Sequence, residues 1–258
     1  MSITLEDGKV HHLHLRKGEV GRYVLLPGDP GRCEKIARHF DDAQLVARNR
    51  EYVTYTGTLS GVSVSVCSTG IGCPSTAIAV EELIEVGADT FIRVGTSGAI
   101  QGDSHTGDVA IITAAIRDEG TTAHYLPEGF PAVADVDVVA ALREGATRTG
   151  IPYHVGISQS KDSFYGEVEP ERMPLAATLA ERWNAWIAGG AICSEMEASA
   201  IFILSSIYRT RAGGVMLIAG GTGEDLSADE LSRLADVERP IGVAVEALRN
   251  LIEKDKAQ

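Results

Sequence analysis

Tyr23-Val24-Leu25-Leu26-Pro27-Gly28-Asp29-Pro30-Gly31-Arg32 is the stretch on which the fold reading turns. Its four leading apolar residues predict a buried strand, and Pro27-Gly28-Asp29-Pro30 is a turn signal that ends it. Gly31 to His39 then carries a helical pattern. A strand that ends in a glycine-rich turn and feeds a helix is the repeating unit of an α/β sheet. The same pattern recurs downstream. Val62 to Cys67 predicts a strand leading into Ser68-Thr69-Gly70-Ile71-Gly72. Pro74-Ser75-Thr76 opens a helix that runs through Ala79, Leu83 and Val86 to a terminal Gly87. Thr90 to Val94 predicts a strand that stops at Gly95-Thr96-Ser97-Gly98. Further strands are expected over Val109 to Thr113, His154 to Ile157 and Gly214 to Ala219, with helices over Val136 to Arg148, Met196 to Tyr208 and Val237 to Ile252. Alternation of this kind predicts one three-layer α/β domain over residues 1–258, with a central mixed or largely parallel β-sheet flanked by helices.

Composition bounds the function. With 258 residues the chain can bury one large core. Hydrophobic residues at 44% and charged residues at 23% exclude a disordered chain. Aromatic residues are only 5%, so the core rests on Val, Ile, Leu and Ala. Lys and Arg total 23 against 36 Asp and Glu, a formal charge of −13. That balance repels nucleic acid and anionic lipid, so any phosphate chemistry has to be local, where a few arginines converge. Cys33, Cys67, Cys73 and Cys193 form no CxxC pair and no zinc spacing. Together with the lack of a signal-peptide pattern and of a long apolar run, they point to free thiols in a cytoplasmic protein with no membrane partner.

Three predicted strands end in glycine-rich segments, where backbone N–H groups can approach an anion closely. None is followed by Gly-Lys-Ser/Thr and none is GxGxxG, which argues against nucleoside triphosphate and dinucleotide sites. Arginines accompany them instead. Arg32 follows the first loop, Arg93 lies two residues before Gly95, and Arg50 sits in Arg48-Asn49-Arg50-Glu51-Tyr52. An arginine fork matches phosphate geometry. Arg32 and Arg50 also read as ordinary surface residues. Arg93 does not, because it interrupts the apolar run Thr90-Phe91-Ile92-Arg93-Val94, where an unpaired charge is expensive. His11-His12-Leu13-His14 invites a metal reading but has no companion ligand cluster. Glu195-Met196-Glu197 has two readings: acids complementing a helix dipole, or carboxylates that accept hydrogen bonds from a ligand's hydroxyls.

These blocks resemble the nucleoside phosphorylase family, which spans uridine phosphorylases and hexameric purine nucleoside phosphorylases. The resemblance runs from Pro27-Gly28-Asp29-Pro30-Gly31-Arg32 through Asn49-Arg50-Glu51, Ile92-Arg93-Val94-Gly95-Thr96 and Asp162-Ser163-Phe164-Tyr165-Gly166 to Glu195-Met196-Glu197. It is strongest toward the uridine phosphorylase branch, in Asp118-Glu119-Gly120, His124-Tyr125-Leu126-Pro127 and Pro170-Glu171-Arg172-Met173-Pro174. The resemblance implies a pentosyltransferase that cleaves a ribonucleoside, uridine foremost, with inorganic phosphate as co-substrate and no required cofactor. It implies a phosphate site of Gly28, Arg32, Arg93 and Thr96, with Arg50 supplied by a neighbouring subunit. Arg93, Thr96 and Glu197 would carry catalysis. Glu197 would hold the ribose hydroxyls beside Glu195, and Met196 would line the sugar face. Phe164 would stack on the base and Arg172 would bond a base carbonyl. His12 would reach the 5′-hydroxyl from the neighbour. Glu51, Ile71 and Ser75 correspond to positions that hold a monovalent cation such as potassium at the dimer interface. A homo-oligomer, a hexamer built of dimers, is expected.

Two departures from the family pattern concern the base. Glu167 stands where uridine phosphorylases carry Gln, and an ionised carboxylate only accepts hydrogen bonds. It would accept a base N–H, neutralise Arg172 or face solvent. Gly220-Gly221, in Ile218-Ala219-Gly220-Gly221-Thr222, leave little cover over the base, and no acid stands there to protonate a purine. A phosphorylase of altered base preference, a nucleosidase of the same fold and a nucleoside-binding protein without turnover are the alternatives.

Overall fold

The computed structural model describes residues 3–221 and 223–257, so Thr222 of the late glycine segment lies outside the described residues. The chain runs β1 (Tyr23–Leu26), α1 (Gly31–Ala37), β2 (Asp41–Asn49), β3 (Tyr52–Leu59), β4 (Val62–Cys67) and α2 (Cys73–Glu85). There follow β5 (Thr90–Ala99), β6 (Val109–Asp118), β7 (Ala132–Val133), α3 (Val136–Thr149), β8 (Tyr153–Lys161), the short α4 (Phe164–Val168) and α5 (Ala176–Ala188). The last elements are β9 (Cys193–Glu195), α6 (Ala198–Tyr208), β10 (Arg211–Gly220), α7 (Ala228–Leu234) and α8 (Glu238–Lys256).

All the strands join one mixed sheet in the order β10-β6-β8-β9-β5-β1-β4-β3-β2, with β7 on the side of β6. An additional pairing of β10 with β5 closes five of them into a ring. The central strands β1, β5 and β10 run parallel. Antiparallel pairings bring in β6 beside β10 and β3 beside β4. The three layers follow from the two-residue period of a strand. Val24, Leu26 and Phe91 pack on one face with Ala79, Val80 and Leu83 of α2 and Ile201 to Leu204 of α6. Tyr23, Leu25 and Ile92 pack on the other with Ile36 of α1, Leu142 of α3 and Leu248 of α8.

Several elements depart from expectation. The segment Gly95-Thr96-Ser97-Gly98, read as a loop, is instead the continuation of β5, paired through Gly95↔Met216, Thr96↔Leu217 and Ser97↔Ile218. Gly95 is needed for close packing rather than for a turn: a Cβ there would lie 2.6 Å from Met216 Sδ and 3.0 Å from Arg93 Nη2. The β2–β3 hairpin was not anticipated, because β2 is mostly exposed and shows no apolar alternation. Helix α5 was missed as well, since none of its residues is buried. Glu195 ends β9, and α6 begins only at Ala198, so the two acids do not share a first helical turn. No helix among the described residues is long and apolar enough to cross a membrane.

The four cysteines are free and buried. Burial pushes the thiols of Cys33, Cys67 and Cys193 up to about 12, and that of Cys73 higher still. A thiol-specific disulfide reagent at about pH 8 should therefore find none of the four in the native protein and all four after denaturation, because reaction requires an accessible thiolate. Rapid titration of one or more native thiols would contradict this packing.

Candidate active site

A cavity of about 1090 Å³ opens where β1, β4 and β5 end and β9 turns into α6. Two tight backbone segments form its floor. Gly28 follows β1, and a Cβ at this position would lie 3.1 Å from the Gly70 carbonyl and 4.0 Å from Arg93 Nη1. Gly70 has φ +72°, and a Cβ there would fall 2.8 Å from Glu51 Cγ and 3.1 Å from Ser75 Oγ. Only glycine fits both demands.

Arg93 explains the charge inside β5. Its side chain is 5% exposed, and its guanidinium lies between two buried carboxylates. Nε donates to Glu195 Oε2 at 2.9 Å, and Nη2 pairs with Glu197 Oε2. Nη1 has no partner among the described residues, although it is buried. Burial works against the guanidinium charge, but Glu197 and Glu195 outweigh it and hold the proton more firmly than usual. An arginine in this setting stays charged at any pH of interest.

Glu195 is the anchor. It accepts the backbone N–H groups of Glu197 (2.9 Å) and Ala198 (3.0 Å), and it takes the Ser160 hydroxyl. Its carboxylate therefore fixes both the guanidinium and the start of α6. Glu197 is held differently. Its Oε1 accepts the Gly72 N–H at 2.6 Å, which leaves lone pairs on both oxygens for further donors. Burial raises the Glu197 carboxyl above the ordinary range, with Glu195 adding to the rise and Arg93 opposing it.

Arg32 stands at the start of α1 with its side chain 19% exposed, and its Nη2 lies 3.5 Å from Thr96 Oγ1. Gly28, Arg32, Arg93, Thr96, Met196 and Glu197 thus share one cavity, and Glu51, Ile71 and Ser75 line it as well. Phe164 lines the same cavity from α4. Glu167 points inward rather than to solvent. Its partner is Lys161 at 2.8 Å, not Arg172, and its second oxygen meets the Ser194 hydroxyl.

Three expected residues stand apart. Arg172 is 64% exposed, pairs with Glu169 and does not line the cavity. Arg50 sits exposed at the tip of the β2–β3 hairpin with φ +54°. His12 Nδ1 lies 2.7 Å from buried Glu82, and the His12 carbonyl accepts from Asn49, the neighbour of Arg50. The His12 backbone is thus tied to the residue before Arg50, and neither His12 nor Arg50 lines this chain's own cavity. Lys161 and Ser194 are cavity residues that the sequence reading missed. Lys161 lies just before the Asp162-Ser163-Phe164-Tyr165-Gly166 block but is not part of it, so only the placement of β8 next to β9 could expose its role.

A family profile described as Phosphorylase superfamily matches residues 22–254. Uridine phosphorylase of Treponema pallidum is 51% identical over 255 residues, 99% of each chain. Uridine phosphorylase of Thermococcus kodakarensis is 44% identical over 253 residues, 97% of this chain and 90% of its own. Guanosine phosphorylase of Halorubrum lacusprofundi is 39% identical over 250 residues, 94% of this chain and 99% of its own.

Two outcomes follow from this geometry. Glu195→Ala strips Arg93 of its Nε partner and should lower unfolding stability by about 3–5 kcal/mol, the usual cost of breaking a buried ion pair; a denaturant midpoint close to wild type would contradict the anchor role. The raised Glu197 carboxyl means that the folded state keeps this proton to higher pH than the unfolded chain does. Its favourable contribution is present below the ordinary carboxylate range and is lost as pH rises through the raised value. The stability of Glu197→Gln relative to wild type should therefore increase in urea titrations as pH is raised above the ordinary carboxylate range. A flat or falling difference would reverse the assignment.

Proposed function

The chain belongs to the phosphorylase superfamily, and on that premise we propose that it cleaves uridine with inorganic phosphate to ribose 1-phosphate and uracil. The observation that carries the reading is Arg93. A guanidinium buried between two carboxylates, with Nη1 turned toward the glycine floor at Gly28, is built to receive an oxyanion. Arg32, from the start of α1, and Thr96, further along β5, complete the grip. Glu197 then accepts the ribose hydroxyls with its remaining lone pairs, and Met196 covers the sugar face.

In this arrangement the bond from C1′ to the base nitrogen lengthens first, leaving positive charge on the ribosyl group. A phosphate oxygen held against the arginines forms the new C1′–O bond from the opposite face, and the base departs with the electron pair. Positioning and preorganised charge account for the rate, without a covalent enzyme intermediate. A same-fold nucleosidase that uses water has no need of an oxyanion grip, and the buried Arg93 disfavours it.

Charge argues for a second copy. Arg32 and Arg93 are offset by Glu195 and Glu197, so one chain alone presents no net positive charge to phosphate. Arg50 is the cation left exposed at a hairpin tip, and the His12 backbone is tied to the residue before it. We read the pair as elements that a neighbouring subunit supplies, in a dimer-based hexamer. Glu51, the Ile71 carbonyl and Ser75 gather around Gly70, and three oxygen donors with one charge suit a monovalent cation such as potassium better than a divalent one. Four free thiols fit a cytoplasmic enzyme of pyrimidine salvage.

Release of uracil from uridine should depend on added phosphate, and Arg93→Lys, which keeps a cation between Glu195 and Glu197 but removes the guanidinium fork, should lower kcat/KM by about 10²–10³, as for loss of one oxyanion donor. Phosphate-independent release, or full activity of the variant, would overturn the reading. Light scattering should find a multimer of dimers; a fully active monomer would remove the roles given to Arg50 and His12.

A further inference from the structure

Lys161 closes β8 with only 7% of its side chain exposed, and Nζ stands 5.8 Å from the Phe164 ring centroid. Nζ donates to Glu167 Oε1 at 2.8 Å and to Ser194 Oγ at 2.6 Å. The Ser194 hydroxyl lies within reach of both Gln159 Oε1 (2.7 Å) and Glu167 Oε2, and its one proton serves one of them at a time. The pair is not core. A second cavity, of about 400 Å³ and flanked by Trp183 and Trp186, lies behind it, so Lys161 and Glu167 form a thin polar wall between two cavities.

Both groups keep spare capacity. An ammonium has three protons, of which two are used here, and each carboxylate oxygen retains a free lone pair. The wall therefore offers one hydrogen-bond donor beside an acceptor to whatever stacks on Phe164. The complementary base edge is a lactam, a carbonyl next to a ring N–H. Uracil, hypoxanthine and guanine have that edge. Cytosine and adenine have a bare ring nitrogen beside an amino group.

Space and leaving-group chemistry point the same way. Gly98 and Gly220 line the cavity, and a Cβ on either would meet nothing within 4 Å, so a two-ring base has room. Glu224, the nearest downstream acid, does not line the cavity and is engaged with the Thr106 backbone and the Gly221 N–H. No acid after β10 lines the cavity among the described residues, so the base leaves as an anion. A lactam spreads that charge onto its carbonyl oxygen, where an ammonium opposes it.

Building on the phosphorolysis reading above, we infer that Lys161 and Glu167 are the specificity-determining pair of this site, and that its substrates are lactam nucleosides of either ring size, inosine and guanosine as well as uridine. In each, the electron pair of the C1′–N bond passes to the base, phosphate oxygen bonds C1′, and the base anion takes a proton from water after release. Glu167 accepts the ring N–H throughout and, in guanosine, the 2-amino group beside it.

The test is a panel of uridine, inosine, guanosine, cytidine and adenosine on the full-length protein, with and without inorganic phosphate, reading released base by chromatography. Wild type should turn over the three lactam nucleosides with kcat/KM about 10² or more above cytidine and adenosine, since a site built to pair polar groups rejects partners that leave them unpaired. Lys161→Met should lower kcat for the lactam substrates about 10²-fold, with Lys161→Arg restoring part of it. Glu167→Gln should weaken guanosine more than inosine, because an amide cannot accept from both adjacent donors. Turnover of uridine without the oxopurines, or equal use of cytidine or adenosine, overturns the inference while leaving phosphorolysis intact. An unchanged ranking in both variants does the same. Failure of every nucleoside to react with phosphate removes the underlying reading and this one together.

Discussion

The site depends on one buried contact, the guanidinium of Arg93 held between the carboxylates of Glu195 and Glu197. An unpaired charge in the middle of β5 would be costly, and two unpaired acids at the junction of β9 and α6 equally so. Together they are mutually satisfied, and the geometry leaves Nη1 as the surplus donor. The same carboxylates tie down the strand-to-helix junction through the N–H groups of residues 197 and 198 and the loop at Gly72. Binding and folding are therefore served by the same atoms. A site held by buried partners keeps its geometry before any ligand arrives, which is the condition for electrostatic catalysis to act without reorganisation.

Sheet closure supplies that contact. Glu195 reaches Arg93 because β9 pairs with the end of β5 at Gly98↔Ser194 and Ala99↔Cys193. The pairing requires β5 to continue past Val94 through small residues. Gly95 admits the Met216 sulfur and the folded-back arginine, and Gly98 leaves room beside the cavity. Glycine in this strand is therefore a matter of close approach, not of a turn. The charge ledger of the cavity then limits what one chain can do: two arginines face two glutamates at the anion end, and a lysine faces a glutamate at the base end. Such neutrality favours ligands that bring their own charge together with a complementary cation from elsewhere.

Much of the frame was legible in the chain itself. Buried strands announced themselves by apolar runs, as at Tyr23–Leu26 and Val62–Cys67, and Arg93 betrayed its importance by breaking such a run. The hairpin Asp41–Leu59 gave no such sign, because β2 lies open to solvent and its side chains need not alternate. Helix α5 was silent for the related reason that it buries no residue completely. Glu167 was noticed as an unusual acid, but its partner lay six positions away on a strand whose direction could not be known. Arg172 carried a motif yet stands outside the cavity, paired with Glu169.

By itself the sequence determined the layered α/β architecture, the acidic exterior and the set of polar residues able to handle an oxyanion. Periodicity and composition act locally along the chain, and these properties need nothing more. Tertiary structure alone decided which of those residues meet: that Arg93 lies between Glu195 and Glu197, that Lys161 faces Glu167, and that His12 and Arg50 do not line their own cavity. Pairing across about a hundred residues depends on strand order and closure, which follow from burial of the whole sheet rather than from any short pattern within it.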